Sequence, residues 1–329
     1  MQPFELIEFQ QTRDFSKKLN ATFEFIKQNF KPLTKSLLYI AGPPMLISSI
    51  LAGNLYSGYL GFITGFSQNP GNPEVMTGYL TSPLLWIQVA GAALLFLISF
   101  VVIVSVVNNY MLEYHSTRSN KIDVDVIWQR VRHTLPMYFG TTLMYWLLLL
   151  AGYLLIVFIV AGASFLSVWL GVLVGFVTIA GFVYIVVALS LLFIVRAWEK
   201  TRFFEAASRC FMLIRDKWWS TFGLLFVASI IQSTIASVFL IPWYINFFIT
   251  MLHSIEGGPV SQPSFLSELI NNIFMTLYFI ISFLLYSIPL LALAFQYFNL
   301  VELKEAKGLL TRIDSIGKNP ASPPKDEQY

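Results

Sequence analysis

The chain has 329 residues, of which 56% are hydrophobic and only 12% charged, and it carries 30 Phe and 8 Trp. Soluble domains have about a quarter of their residues charged, so this composition excludes an ordinary water-soluble protein and makes lipid or other membrane helices the medium for most side chains. The net charge of +3 is small, and the single cysteine, Cys210, excludes an intramolecular disulfide and any Cys/His metal spacing.

Residues 1–13 are mixed in character and read as peripheral. From Asp14 a helix begins, with Phe15, Leu19, Phe23, Ile26, Phe30 and Leu33 at steps of three and four. Lys17, Lys18, Lys27, Lys31 and Lys35 surround that stripe. The pattern predicts an amphipathic helix lying in the membrane interface, rings in the acyl boundary and ammonium groups among headgroups. It is no secretory signal, because the first long apolar run begins near Leu37 without a small-residue cleavage site behind a short apolar core.

Pro32 and Pro43-Pro44 predict bends, so span 1 is placed from Pro43 to about Phe66. The loop Ser67–Ser82 holds Asn69-Pro70 and Asn72-Pro73, which is turn chemistry. Span 2 runs from Pro83 to about Val107. A polar segment, Asn108 to Val124, leads to a second surface helix around Asp125–Thr134. From His133 to Val195 there is no Lys, Arg, Asp or Glu, a stretch long enough for two spans of about 20 residues each. A turn at Ala161–Ser164 gives span 3 (Met137–Val160) and span 4 (Phe165–Val195). The third surface helix is about Thr201–Lys217, followed by span 5 from Trp219 to about Ile241, where Pro242 stops or kinks it. A polar loop His253–Ser267 precedes span 6, about Leu269–Phe298, with a kink expected at Pro289. The charged, Pro-rich tail 306–329 is expected to be disordered and cytoplasmic.

Phe23, Ile26, Lys27 and Phe30 align with Trp128, Val131, Arg132 and Leu135, and with Phe211, Ile214, Arg215 and Trp218. Each copy precedes about two spans. The expected fold is therefore an all-α integral membrane protein of six transmembrane helices. They form three hairpins, each preceded by a cytoplasmic amphipathic helix, as a pseudo-threefold internal repeat. Residues 1–305 form one membrane domain, with repeat units of about 14–107, 125–195 and 201–300. All 21 Lys and Arg lie in the N-terminal segment, the second-to-third and fourth-to-fifth loops or the tail. The positive-inside rule then places both termini and all three surface helices in the cytoplasm.

No acid or base falls inside these spans, which argues against ion coupling through the bilayer centre. Glu113, His115, Asp123 and Asp125 share a loop but match no metal-ligand spacing, and read as solvated or, for Asp123 or Asp125, as a helix cap. His253 and Glu256 read as solvated loop residues, and Cys210 as a small buried face residue. Gly61 with Gly65, Gly171 with Gly175, and Ser229, Ser233 and Ser237 are spaced for close helix approach within the chain. No catalytic motif is present, so no enzyme, cofactor or metal is expected. The candidate lipid- or partner-contacting residues are Lys27, Lys31, Arg132, Arg209, Arg215, Lys217, Trp218 and Trp219. Simple anchoring competes with that reading, since each cation near an anionic leaflet contributes about 1 kcal/mol. The expected partners are membrane lipid with anionic headgroups and a protein partner or a second copy of the chain, not nucleic acid.

Within EAASRCFMLIRDKWWSTF, Glu205–Phe222, the residues Ala206-Ala207, Arg209, Phe211, Leu213-Ile214-Arg215 and Trp218-Trp219 resemble a motif of a bacterial six-span family. That family includes the membrane domain of glycerophosphodiester phosphodiesterases and many stand-alone proteins, and the resemblance extends in layout over about residues 14–300. It implies a multi-pass protein of the bacterial inner membrane. The catalytic barrel of the enzymes has no counterpart, because a tail of about thirty residues cannot hold one, so their activity is not carried over. The expected function is a non-enzymatic scaffold or accessory subunit. The alternative is a transporter or lipid-handling protein with an uncharged intramembrane cavity.

Overall fold

A computed structural model describes residues 6–68, 73–255, 265–306 and 308–310. Its helices are α1 (Phe15–Ser36), α2 (Gly42–Gln68), α3 (Pro73–Leu80), α4 (Pro83–Thr117), α5 (Val124–Leu166), α6 (Val168–Leu189), α7 (Leu192–Glu199), α8 (Phe203–Ile214), α9 (Trp218–Ser237), α10 (Ile241–Ile255), α11 (Phe265–Leu285) and α12 (Ser287–Glu305). A π-helical stretch, Leu37–Ala41, joins α1 to α2, and a 3-10 turn, Val238–Leu240, joins α9 to α10. No strand occurs among the described residues. Six helical segments are long and apolar enough to cross a membrane: Phe15–Ile63, Pro83–Thr117, Val124–Leu166, Val168–Glu199, Trp218–Ile245 and Leu269–Glu305. The chain is a multi-pass, all-α membrane protein.

The prolines interrupt less than expected. Pro32 sits inside α1, and the wider π-helical turn that follows absorbs the register change. Pro43 and Pro44 follow directly on the π-helical stretch and are carried within the continuous helix. One helical rod therefore runs from the first surface segment into span 1. The second surface helix and span 3 are likewise a single 43-residue helix, α5, passing through Pro136. Pro289 lies in the first turn of α12, and the break in span 6 comes before it, at Tyr286.

The turn expected at Ala161–Ser164 is helical, and the chain reverses at Ser167, whose φ −163° and ψ 137° are extended. Gly171 makes that reversal possible, because a Cβ there would lie 2.0 Å from the Ser164 hydroxyl. Gly171→Val is therefore expected to pry α5 from α6 and cost about 1–3 kcal/mol, read as a lower melting temperature. The other small-residue sites are not close approaches: nothing lies within 4 Å of a Cβ built on Gly61, and Ser233 is exposed, bonding its own helix at the Ser229 carbonyl.

The core lies at the end of the bundle that carries the Lys and Arg. Every residue of α4 from Val101 to Met111 is buried, as is α12 from Ser287 to Val301 except Leu290. Around this pair pack α1, α2, α5, α7, α8, α9 and α11. Far from that end, Phe158, Phe165, Leu166, Trp169 and Phe176 of α5 and α6 are exposed, as suits side chains whose solvent is lipid.

Two findings at the N-terminus differ from expectation, the burial of the segment before α1 and the burial of Lys18. The described residues before Asp14, from Leu6, are not peripheral: Phe9 is 3% exposed and packs on Phe25, Tyr114, His115, Trp198, Phe295 and Phe298. The buried face of α1 is Lys18, Ala21, Thr22, Phe25, Asn29, Leu33 and Ser36, whereas Phe15, Phe23 and Phe30 of the apolar stripe are exposed. In lipid the rings face outward and the polar groups pair inward: Asn29 accepts from Tyr110 at 3.0 Å, and Thr22 donates to the Lys18 carbonyl.

Candidate lipid-contact site

The site is built by α8, the turn after it and the start of α9. Glu205 accepts from the Arg202 backbone N–H at 3.1 Å, closing the first turn of α8. Phe203, Ala206, Ala207, Cys210, Leu213 and Ile214 then bury one face in the core. The helix stops at Ile214, and Lys217 N–H returns to the Ile214 carbonyl at 2.9 Å, so that Arg215, Asp216 and Lys217 occupy one tight turn. Asp216 lies 3.5 Å from the Lys304 ammonium, tying the turn to α12.

Beside this turn is a cavity of about 650 Å3. Arg215, Asp216, Lys217, Trp218, Trp219 and Ser220 form one wall, and Ala180, Val183 and Tyr184 of α6 form the other. Arg215 and Lys217 are exposed and Trp219 is 77% exposed. Trp218 is the wedge between the walls: its ring N–H donates to the Tyr184 carbonyl at 3.3 Å, and the two rings stack at 5.8 Å. The stack continues along α9 from Trp218 to Phe222 at 5.3 Å and on to Phe226 at 5.8 Å. The result is an aromatic ladder leading from the charged end into the apolar part of the bundle.

Four of the eight residues singled out in the sequence, Arg215, Lys217, Trp218 and Trp219, thus line one cavity. Lys27, Lys31 and Arg132 are exposed on α1 and α5 but are not part of it. Arg209 is turned inward instead. Its guanidinium bonds Glu199 of α7 at 3.2 Å and also Glu305 of α12, and the Tyr297 hydroxyl donates to the same Glu199 oxygen at 2.8 Å. Burial pulls the Arg209 pKa down, but Glu305 and Glu199 outweigh it and the net shift is upward. This cation holds three helices together; it is not free for a headgroup.

The sequence reading missed what stands behind the cavity. Lys18, placed among the surface cations, is 2% exposed. Its ammonium donates to Ser220 at 2.8 Å and to Gln296 at 2.6 Å, and Gln296 in turn donates to Thr221 at 2.8 Å. The signal available was Gln296 itself, an amide in the apolar second half of span 6, which needs a partner in a dry environment.

Elsewhere the expected solvated carboxylates are partly corrected. Glu113 is buried and paired with Arg130, and Asp123 takes the N-cap position of α5 without a side-chain cap bond. His115 packs its ring on Phe9 and Trp198. Among the described residues no three His, Cys, Asp or Glu side chains gather closely enough to hold a metal ion. The His253 side chain and Glu256 lie outside the described residues.

Cys210 is fully buried, and burial, with a smaller contribution from Glu199, pushes its thiol up to about 12. The native protein should therefore resist maleimide at neutral pH and label fully once denatured. Rapid labelling of the folded protein, followed by mass spectrometry, would contradict that packing. No protein-family model, curated protein or solved structure matches the chain.

Proposed function

We propose that the protein is a non-enzymatic scaffold or accessory subunit of the bacterial inner membrane that engages anionic lipid, or a partner, through a basic cytoplasmic end. The observation that carries this reading is the convergence of two exposed cations and two indoles on one cavity at the rim of the bundle. Cations at headgroup depth with aromatic rings just below them match the chemistry of a membrane–water interface. The resemblance of Glu205–Phe222 to the membrane domain of glycerophosphodiester phosphodiesterases supports the bacterial inner membrane as the location.

The pseudo-threefold organisation, three hairpins each preceded by an amphipathic helix, belongs to the same proposal. Its support is that Lys27, Arg132 and Arg215 are all exposed, while the aligned Val131 and Ile214 are buried and Ile26 is half-buried. Orientation rests on the one-sided placement of Lys and Arg. A cysteine at Met76 in α3 should react with an impermeant thiol reagent from outside intact cells, and a cysteine at Thr117 should not. The opposite pattern would place the basic end outside.

The second reading, a transporter or lipid-handling protein, draws on polar side chains that meet between spans, such as Ser48 and Ser99 at 3.3 Å. Purification in an uncharged detergent separates the two. Under the scaffold reading the wild-type chain retains phosphatidylglycerol over phosphatidylcholine in native mass spectra, and proteoliposomes release no entrapped or labelled lipid faster than empty vesicles. Accelerated release would favour the second reading.

A further inference from the structure

We infer that the cavity between α6 and the start of α9 is a binding site for one phosphate-bearing lipid. Arg215, Lys217 and the Ser220 hydroxyl take the phosphate, Lys18 backs them, and an acyl chain lies along Trp219, Phe222 and Phe226. The inference rests on the lipid-engaging reading above and narrows it from a basic surface to a single built site.

The strongest reason is the position of Lys18. A fully desolvated ammonium is costly unless paired, and the usual partner is a carboxylate. Among the described residues no carboxylate lies within ion-pair distance of Lys18, which donates to two neutral oxygens, on Ser220 and Gln296. Lys217 repels it more than Asp14, the nearest carboxylate influence, attracts it. Three cations, Lys18, Lys217 and Arg215, therefore surround one turn whose single acid, Asp216, already faces Lys304. An anion in the cavity removes that imbalance.

Ser220 supplies the link. Its oxygen accepts from Lys18, so the charge lies one hydrogen bond behind the cavity wall that Ser220 lines. Its own proton has no acceptor among the described residues and is free to donate into the cavity. Lys217, at the N-cap of α9, makes no side-chain cap bond to the first N–H groups of that helix. Arg215 brings a planar fork suited to two phosphate oxygens. Below this polar cluster, exposed Phe226 and Trp219 present a continuous apolar track, which a free phosphate ion would leave unused and a lipid chain would cover.

The test uses the full-length chain, delipidated in dodecyl maltoside and titrated with phosphatidylglycerol or phosphatidylcholine of identical acyl chains, with bound lipid counted by native mass spectrometry. The wild type should bind one phosphatidylglycerol in preference. Arg215→Gln with Lys217→Gln should weaken that binding about tenfold, equivalent to about 1.4 kcal/mol, while Lys27→Gln with Lys31→Gln, equal in charge lost, should change it by less than about twofold. Equal losses in both pairs would overturn the site but leave the lipid-engaging reading standing. A wild type that does not discriminate the two lipids would overturn both. Millimolar inorganic phosphate should compete only weakly; full displacement would identify a free phosphate site and overturn the lipid assignment. Lys18→Met keeps volume and removes the charge, so it should leave the melting temperature unchanged or higher while reducing phosphatidylglycerol binding. Undiminished binding in that variant would remove Lys18 from the site. Both charge-pair variants alter exposed side chains, and matching melting temperatures confirm that they fold.

Discussion

Replacing Phe9 by alanine is expected to destabilise the protein by about 3–5 kcal/mol. The ring is the meeting point of four helices: it stacks on Phe298 of α12 at 5.0 Å and on Tyr114 of α4 at 5.7 Å, and it touches Phe25 of α1 and Trp198 of α7. The segment around it is fixed by its backbone and cannot easily refill the space. Ile7 N–H donates to the Tyr114 hydroxyl at 3.0 Å, Arg13 N–H to Asn299 at 2.7 Å, and the Arg13 guanidinium to the Phe9 carbonyl at 3.0 Å. A cavity the size of a benzyl group would therefore persist, adding its own cost to the lost transfer energy. Thermal unfolding in detergent should show a fall of about 10 °C. Phe9→Leu, which keeps most of the volume, should recover more than half. A shift under about 2 °C for the alanine variant would mean that this segment only lies on the bundle.

The second large effect is expected at Arg209. Its guanidinium separates Glu199 from Glu305, all three side chains being at least three-quarters buried. Arg209→Ala leaves two carboxylates facing each other with no cation between them, and is expected to cost about 3 kcal/mol. Removing one of the two charges should repair part of the damage, so Arg209→Ala with Glu305→Gln should be more stable than Arg209→Ala alone. If the double variant is instead less stable by the sum of the separate losses, the two glutamates do not interact through Arg209. The prediction separates this residue from Arg215, six positions on in the same motif, whose loss should spare the fold and reduce lipid retention.

Much of this architecture was legible because hydropathy and charge act over tens of residues. The six spans and the clustering of cations follow from the cost of burying charge in hydrocarbon, although several helices run on beyond the expected limits, as α4 does to Thr117 and α5 from Val124. The helix junctions were not legible. Pro32 reads as a bend, yet it is carried within α1, and the Gln28 carbonyl it leaves without a helical partner accepts from Asn120 at 3.4 Å.

The inward face of α1 was hidden for a different reason. The pattern Phe15, Leu19, Phe23, Ile26, Phe30 has the correct helical period, but period does not say which side is core. In water the rings face in; here Phe30 is 60% exposed while Lys18 and Asn29 are buried. Of the candidate site, the contiguous turn Arg215–Trp219 was visible because its members adjoin in sequence. Tyr184, Lys18 and Gln296 were not, since only the fold brings α6, α1 and α12 to that turn.

In the proposed site, anionic lipid sits against Trp219 at the mouth of the α6–α9 cavity. Tryptophan quenching by lipids brominated on the acyl chain, in nanodiscs of fixed composition, measures this directly. The signal of Trp219 is isolated as the difference between the wild type and Trp219→Phe. Brominated phosphatidylglycerol should quench that difference signal clearly more than brominated phosphatidylcholine at the same mole fraction, and Arg215→Gln with Lys217→Gln should abolish the excess. Equal quenching by the two lipids in the wild type would show that Trp219 meets bulk bilayer only.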